Sequence, residues 1–416
     1  MGGAASSIVS TELDLAQPDP RHLEAVVALQ CSHLAETRPH DAPPTVEHAR
    51  RALAGVAAQR NFAVRVAVAW CDGAAAGLAE MVSSRKGDNA HLLQVEAYVM
   101  PSERRRGVGT RLLEVAIGRA RAEGRTLLIG TTTDGVAAGE PFARRLGARP
   151  GLVSLVYEVA LAEVDTALLE AWLRAGPERA PDVELVWLGS PYPEDQLASL
   201  ATVMRAMNDI PLGDLQLGDR TVTPATLRDQ DGMQRARGDE RWTLVARRRK
   251  DGALVGATET LWSPANPAVL VQLGTVVLRE ARGHGLGRWL KAAMLERALR
   301  ERPEARVVRT DNASQNAPMQ AINDALGFRV ALTETVWQVE VDVARRGAGD
   351  LLSAVRGTTR SLVSATEGRQ CPPWSGSATP HIRSMSCRVA ISARCTRITS
   401  SASASTSGRF APPSAR

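Results

Sequence analysis

No apolar run in this chain approaches the roughly 18 residues that a membrane-spanning helix needs, so no membrane partner is expected. The opening residues, MGGAASSIVSTELDLAQ, hold no basic segment followed by an apolar core, and no secretory signal is read there. The five cysteines lack CxxC spacing, which argues against a disulfide framework or a zinc ribbon. No metal is expected, and a reducing, cytoplasmic setting is the default. Two phosphate-binding signatures are also missing: there is no Gly-Lys followed by Ser or Thr, and no complete G-x-G-x-x-G. Net basic charge is confined to the C-terminal segment. The whole chain carries a formal +6, yet residues 347–416 alone hold nine Arg, no Lys and two acids, Asp350 and Glu367. The remainder is close to neutral, so a nucleic-acid partner is not expected.

What is present is globular. A chain of 416 residues with 44% hydrophobic content is long enough for two or three domains. Its organising stretch is Gln272–Lys291, QLGTVVLREARGHGLGRWLK, in which an apolar strand runs through Arg282-Gly283-His284-Gly285-Leu286-Gly287 into a helix. Such a turn aims unpaired backbone N–H groups at one point, and the helix dipole adds positive potential there. That makes an anion seat suited to phosphate. An ordinary strand–turn–helix corner with a basic rim is the alternative. The pattern recurs: Arg104, Gly107 and Gly109 stand 178 residues before Arg282, Gly285 and Gly287.

Periodicity predicts a strand near Ile8–Leu15, helices over Arg21–Glu36 and Val46–Ala58, and a hairpin of Phe62–Trp70 with Ala74–Ser83 about Cys71-Asp72-Gly73. A strand at Leu92–Met100, a helix at Val108–Ala122, a strand at Thr126–Gly130, a helix at Pro141–Leu146 and a strand at Leu152–Leu161 come next. Ala162–Pro181 reads as a connecting helix ended by Gly176-Pro177. The order then restarts at Val183–Leu188 and closes with a strand region at Val330–Val343. Gln94 matches Gln272, and Leu146-Gly147-Ala148-Arg149 matches Leu326-Gly327-Phe328-Arg329. A repeat of this size means two copies of one fold. The boundaries expected are 1–160 and 183–345, joined by a linker helix at 161–182. From 346 to 416 Ser, Arg, Thr, Ala and Pro dominate, and a disordered basic tail is expected. The abrupt change after Val343 also motivates the hypothesis of a frame-shifted C-terminus, which the other reading frames of the gene would test.

Strand, Arg-x-x-Gly-x-Gly, helix, strand, helix and Leu-Gly-x-Arg, twice over, resemble the GNAT acetyltransferase superfamily in a tandem arrangement like that of mycothiol synthase. The resemblance implies an α/β (α+β) fold of two GNAT domains, each a mixed, mostly antiparallel sheet flanked by helices. It implies acetyl-CoA as co-substrate and, for the second copy, a pyrophosphate site at Arg282, Gly283, His284, Gly285, Leu286, Gly287 and Arg288. The pantetheine arm would lie along the backbone of Val276, Val277 and Leu278. Arg104, Gly107 and Gly109 are the counterpart in the first copy. Asn316 falls where the family holds the cofactor arm with an Asn, and Asn323 where it often has a Tyr. Val136 and Ala143 occupy those positions in the first half, which reads as degenerate, with the second half catalytic.

The activity implied is transfer of an acetyl group to a primary amine of a small molecule, such as an amino sugar, an amine or an amino-acid-like metabolite, by a monomer or homodimer. Glu259, mid-strand, is the candidate base; a carboxylate on the solvent face of a hairpin is its alternative. Glu80 and Glu96 are acids of the first half, while Gly274 stands where Glu96 has its counterpart. Asn323 has no proton to donate to a thiolate at neutral pH. Asp311 and Asn312 are as readily helix caps, and Trp242 and Trp262 either core or acceptor pocket. A catalytically silent acyl-CoA-binding protein is the competing function.

Overall fold

In the computed structural model, which describes residues 7–351 except 59 and 86, strands and helices run twice through the same order. The first half comprises β1 (Ile8–Glu12), α1 (Pro20–Thr37), α2 (Val46–Ala57), β2 (Phe62–Cys71), β3 (Ala74–Ser84), β4 (Leu92–Val99), α3 (Val108–Ala122), β5 (Leu127–Thr133), α4 (Gly139–Arg145) and β6 (Arg149–Ala160). The linking helix α5 (Thr166–Arg179) leads to β7 (Val183–Leu188), α6 (Leu197–Arg205), α7 (Pro224–Ala236), β8 (Glu240–Arg248), β9 (Leu254–Trp262) and β10 (Val269–Val277). Then come α8 (Leu286–Glu301), β11 (Val307–Ala313), α9 (Ala317–Ala325) and β12 (Arg329–Glu340). Local chemistry sets many of these ends. Asp72 and Gly73 both take positive φ (51° and 84°), the geometry that suits a two-residue turn to the twist of the β2–β3 hairpin. Asp19, Thr45, Asp165 and Thr223 cap α1, α2, α5 and α7 with side-chain oxygens on the orphan amides.

The strands form one twelve-stranded sheet in the order β1-β2-β3-β4-β5-β12-β6-β11-β10-β9-β8-β7 among the described residues. Only β4–β5 and β10–β11 pair in parallel. The closing strands are exchanged: β12 of the second half lies on β5 of the first, and β6 of the first lies on β11 of the second. β6 and β12 then pair with each other across the junction. The separate mixed sheets expected from sequence are thus joined through their last strands. The helix after each closing strand crosses over with that strand. α5 packs against α8, and the helical residues 341–351 bury Val341, Ala344 and Ala348 in the core built on α3.

Strands β1, β5 and β6 begin or end three residues from the expected positions, and two other boundaries differ in kind. α5 continues through Gly176-Pro177 to Arg179, because a proline in the last turn forfeits only one helical hydrogen bond. β12 stops at Glu340, and residues 341–351 are helical where a strand to Val343 and then a tail from 346 were expected. Their three apolar positions at helical spacing find a buried face on the opposite half. The tail from 352 onward, with its expected disorder and the frame-shift hypothesis, lies outside the described residues.

Candidate active site

Each half opens its sheet at the same place. β4 and β5 pair only at Leu92–Gln94 against Leu127–Ile129, and β10 and β11 only at Val269–Val271 against Val307–Arg309. Beyond those residues the two strands of each pair diverge, which frees N–H and C=O groups for an extended polar chain. In the second half a register shift between Gln272 and Thr275 accompanies the opening, as a bulge that turns Leu273 and Gly274 toward the gap.

The glycine turns lie at the open ends. Gly283 and Gly285 have φ of 87° and 80°, and the first copy repeats the path with Arg105 and Gly107 at 66° and 90°. Arg105 is a side-chain-bearing residue in a left-handed conformation that its counterpart Gly283 adopts without strain. Neither α3 nor α8 receives a side-chain cap, since Gly107 and Gly285 occupy the capping positions. Their first amides therefore remain available to an anion.

The arginines of the two motifs do something else. Arg282 Nε donates to Val277 O at 2.9 Å and its Nη2 to Asp209 at 3.2 Å. Arg104 likewise donates to Val99 O at 3.1 Å and forms a fork with Glu36 at 2.8 and 2.5 Å. Both are struts that tie the turn to the end of the strand. Arg288 lies over the Trp172 ring, 5.6 Å from its centroid, and His284 is exposed. Leu286 is buried; a Cβ on Gly287 would stand 3.5 Å from Ile322, and one on Gly109 the same distance from Phe142. Val276 is buried, while Val277 and Leu278 are half-buried at the strand end.

A cavity of about 150 Å³ runs from the gap between β10 and β11 toward α6 and α7. Glu259 lines it from β9 and is 4% exposed, which removes the solvent-face alternative. Its Oε1 accepts from Tyr192 at 2.5 Å, from Arg241 at 3.0 Å and from Thr243 at 3.1 Å. Burial pushes the Tyr192 phenol well above its usual range. Burial alone would lower Arg241, but the charges and hydrogen bonds of Glu259 and Tyr192 together outweigh it and keep the guanidinium cationic. Asn316 lines the same cavity at the N-terminus of α9. Asn323 is fully buried, and its Oδ1 accepts from the Lys291 ammonium. Lys291 lines the cavity, lies 5.3 Å from the centre of the Phe328 ring, and is lowered to about 7 by burial.

Glu259 and Asn316 are thus brought together, and Asn323 joins them through Lys291. The turn glycines lie outside the cavity lining. Gly274 carries no acid because Met207 fills the space, its Cε only 2.4 Å from where a Cβ would be. Asp311 and Asn312 belong to β11 and do not cap α9, whose capping position is Asn316. Trp242 and Trp262 do not line the cavity; Arg302 stacks on both, at 5.2 and 4.6 Å. Sequence reasoning missed Lys291, although a lysine standing 178 residues after Leu113 in the repeat was a readable signal. It also missed Tyr192, Arg241 and Arg220, which distant loops and strands deliver.

The first half has its own cleft, of about 240 Å³, between β4, β5, α3 and α4. Glu80, Glu96 and Tyr98 line it, and Val136 and Ala143 leave its far wall apolar. Tyr98 donates to Glu36 at 2.7 Å, and burial raises the phenol to about 12.

The sequence pattern of the acetyltransferase (GNAT) family matches residues 26–148, which lie in the first half. A tandem GNAT protein from the clavulanic acid biosynthesis pathway, solved without acetyl-CoA, is similar over 80% of this chain and 99% of its own, at 28% identity and a TM-score of 0.66. A GCN5-related N-acetyltransferase from Sphaerobacter thermophilus shares the fold at 15% identity and a TM-score of 0.55, over 80% of this chain and 96% of its own. So does the glucosamine N-acetyltransferase region of a fungal multi-domain β-N-acetylglucosaminidase, at 12% identity and the same TM-score of 0.55, over 81% of this chain and 38% of that one. No curated protein matches the chain.

Proposed function

We propose that this chain, a tandem GNAT protein, moves an acetyl group from acetyl-CoA to a primary amine of a small molecule, with its second half carrying the chemistry. Membership of the family rests on the match across residues 26–148 and on the likeness of both halves to a tandem GNAT protein. The observation that carries the finer reading is a buried carboxylate, Glu259, held on one oxygen by three donors inside a cavity that reaches the parted strands. The residues fit acetyl-CoA as substrate. The uncapped amides of α8 and the glycine turn suit its pyrophosphate, and the strand edge at Val276–Leu278, which β11 leaves unpaired, suits an amide-bearing arm.

The amine enters neutral, and Glu259 takes the proton its nitrogen sheds as it attacks, directly or through one water. The neutral amine nitrogen bonds to the acetyl carbon, the carbon–sulfur bond breaks, and the electron pair leaves on sulfur. A backbone N–H near Val277 polarises the thioester carbonyl. Lys291, hydrogen-bonded to Asn323, offers the positive charge and the proton that the departing thiolate takes up. Asn323 positions that lysine.

The test measures thiol release from acetyl-CoA with a panel of primary amines. Activity should fall by about 10²-fold or more in Glu259→Gln and persist in Glu96→Gln. The reverse result would move the chemistry to the first half. Binding of CoA without turnover on any amine would leave a silent acyl-CoA-binding protein.

A further inference from the structure

One guanidinium in the second-half cavity has no assigned task. Arg220 lines the cavity together with Glu259, Gln230 and Gln234. Among the described residues its side chain makes no hydrogen bond and no ion pair, and only its backbone oxygen is engaged, accepting from Asn208 at 3.2 Å. The other cations of the cavity are occupied: Arg241 pairs with Glu259, and Lys291 donates to Asn323. Asp88 and Glu259 act on Arg220 only through space, and Asp88 accepts from Thr221 N and Oγ1 at 2.7 and 2.8 Å. Arg220 is half-buried in the cavity wall and burial lowers it to about 10, so it remains a cation at neutral pH with no hydrogen-bond or ion-pair partner among the described residues.

The position of Arg220 is built. The segment before α7 is fastened to the loop between β3 and β4 of the other half and to β12. Gly218 N donates to Asn89 at 2.6 Å, His91 Nε2 and Gln216 O are 2.9 Å apart, and Gln216 N donates to Gln338 at 2.8 Å. These contacts, with Thr221 on Asp88, bracket Arg220 from both sides. Around it Met204, Met207, Ile210, Val222 and Leu227 supply an apolar wall. A fixed planar fork of donors at the end of an apolar pocket, with a carboxylate base in the same cavity, matches a ligand with an amine at one end and an oxyanion at the other.

We infer that the acceptor is a primary amine that also carries a carboxylate or phosphate, anchored by Arg220 while its nitrogen faces Glu259. This rests on the reading of the cavity as the acceptor site. A bare alkylamine enters the same apolar pocket but leaves the guanidinium unpaired, and that unmet partner is what sets the selectivity.

Two matched pairs test it: L-leucine against 3-methylbutylamine, and O-phosphoethanolamine against ethanolamine. In the wild-type enzyme the anionic member of at least one pair should have a kcat/KM higher by about tenfold or more. The pair that shows it separates carboxylate from phosphate. Arg220→Met should bring that ratio close to one, through a raised KM for the anionic member, and Arg220→Lys should keep part of it. Removal of an unpartnered cation leaves no buried charge behind, so the variant should fold. A binding readout separates this inference from the activity itself. N-acetyl-L-leucine should bind and raise Tm in the wild type, more weakly in Arg220→Met, while N-(3-methylbutyl)acetamide should not distinguish the two proteins. Binding of the anionic compound that depends on Arg220, without turnover of any amine, would sink the acetyltransfer reading and keep the anion anchor. Equal ratios in the wild type and Arg220→Met, or no preference for the anion in either pair, would overturn the anchor.

Discussion

Arg309 on β11 reaches across 268 residues of sequence to grip Asp41, between α1 and α2, with two bonds of 2.6 Å. Its Nε also donates to Glu158 of β6 at 2.5 Å, and the side chains of Arg309 and Asp41 are 5% and 6% exposed. One guanidinium therefore ties the first half's helical layer to the exchanged strand and to the second half's own sheet. Arg309→Ala should cost about 3–5 kcal/mol, because the buried carboxylate of Asp41 loses the guanidinium that forks onto it. The midpoint of urea unfolding measures this, and Arg309→Met with Asp41→Asn should recover part of the loss. Since each half holds the other's closing strand, both should unfold in one transition by fluorescence and circular dichroism. Two separated transitions would contradict the coupling.

Gly176 shows a similar dependence at the α5–α8 contact. A Cβ there would lie 2.3 Å from the indole of Trp289, closer than packed atoms come. Gly176→Ala should therefore destabilise by about 1–3 kcal/mol as the helices are pushed apart, despite the higher helix propensity of alanine. A gain in Tm for this variant would mean that Trp289 swings away at little cost.

The twofold order of strands and helices was legible because amphipathic period and turn residues are local. Gln272–Lys291 exposed the strand, turn and helix, and the spacing of Arg104 from Arg282 exposed the repeat. The exchange of β6 and β12 was not legible. Both strands carry the same alternation and would suit either sheet, so pairing is decided by chain path and not by pattern. In the site, Glu259 was readable as a mid-strand acid, but its burial was not, since Tyr192 and Arg241 reach it from other elements. Arg282 was misleading: the glycine motif draws attention to its charge, whereas the guanidinium is spent on Val277 O and Asp209.

The turn itself yields a sharper pair of variants. The Cβ position of Gly287 is 3.5 Å from Ile322, an ordinary contact, so Gly287→Ala should fold and keep most of its affinity for CoA. Gly287→Glu adds bulk and negative charge at the first turn of α8, where the amides and dipole favour an anion. It should weaken CoA binding by about 10²-fold or more, read by calorimetric titration at fixed salt. An unchanged Kd in the glutamate variant would remove the turn from the pyrophosphate site.

Lys291 should leave a mark on both stability and rate. Burial holds it at about 7 against 10.5 for a free lysine. Below about pH 7 both folded and unfolded chains hold the proton, and the folded state bears the full cost of a buried cation. Between about pH 7 and pH 10 the unfolded chain binds more protons than the folded one, so this group makes stability rise with pH. Lys291→Met should remove that slope from urea midpoints taken across the window. The slope is the readout, because the variant also strips Asn323 Oδ1 of its donor and shifts absolute stability. The rate moves the opposite way. As the ammonium is lost above about pH 7 the support for the leaving thiolate goes with it, and kcat should fall by about 10²-fold in Lys291→Met at pH 6.5. Glu259, Arg220, Arg241, Asp311 and Glu334 are the other titratable or charged groups that line the cavity with Lys291. A variant that keeps the wild-type kcat profile while losing the stability slope would make Lys291 a purely structural cation.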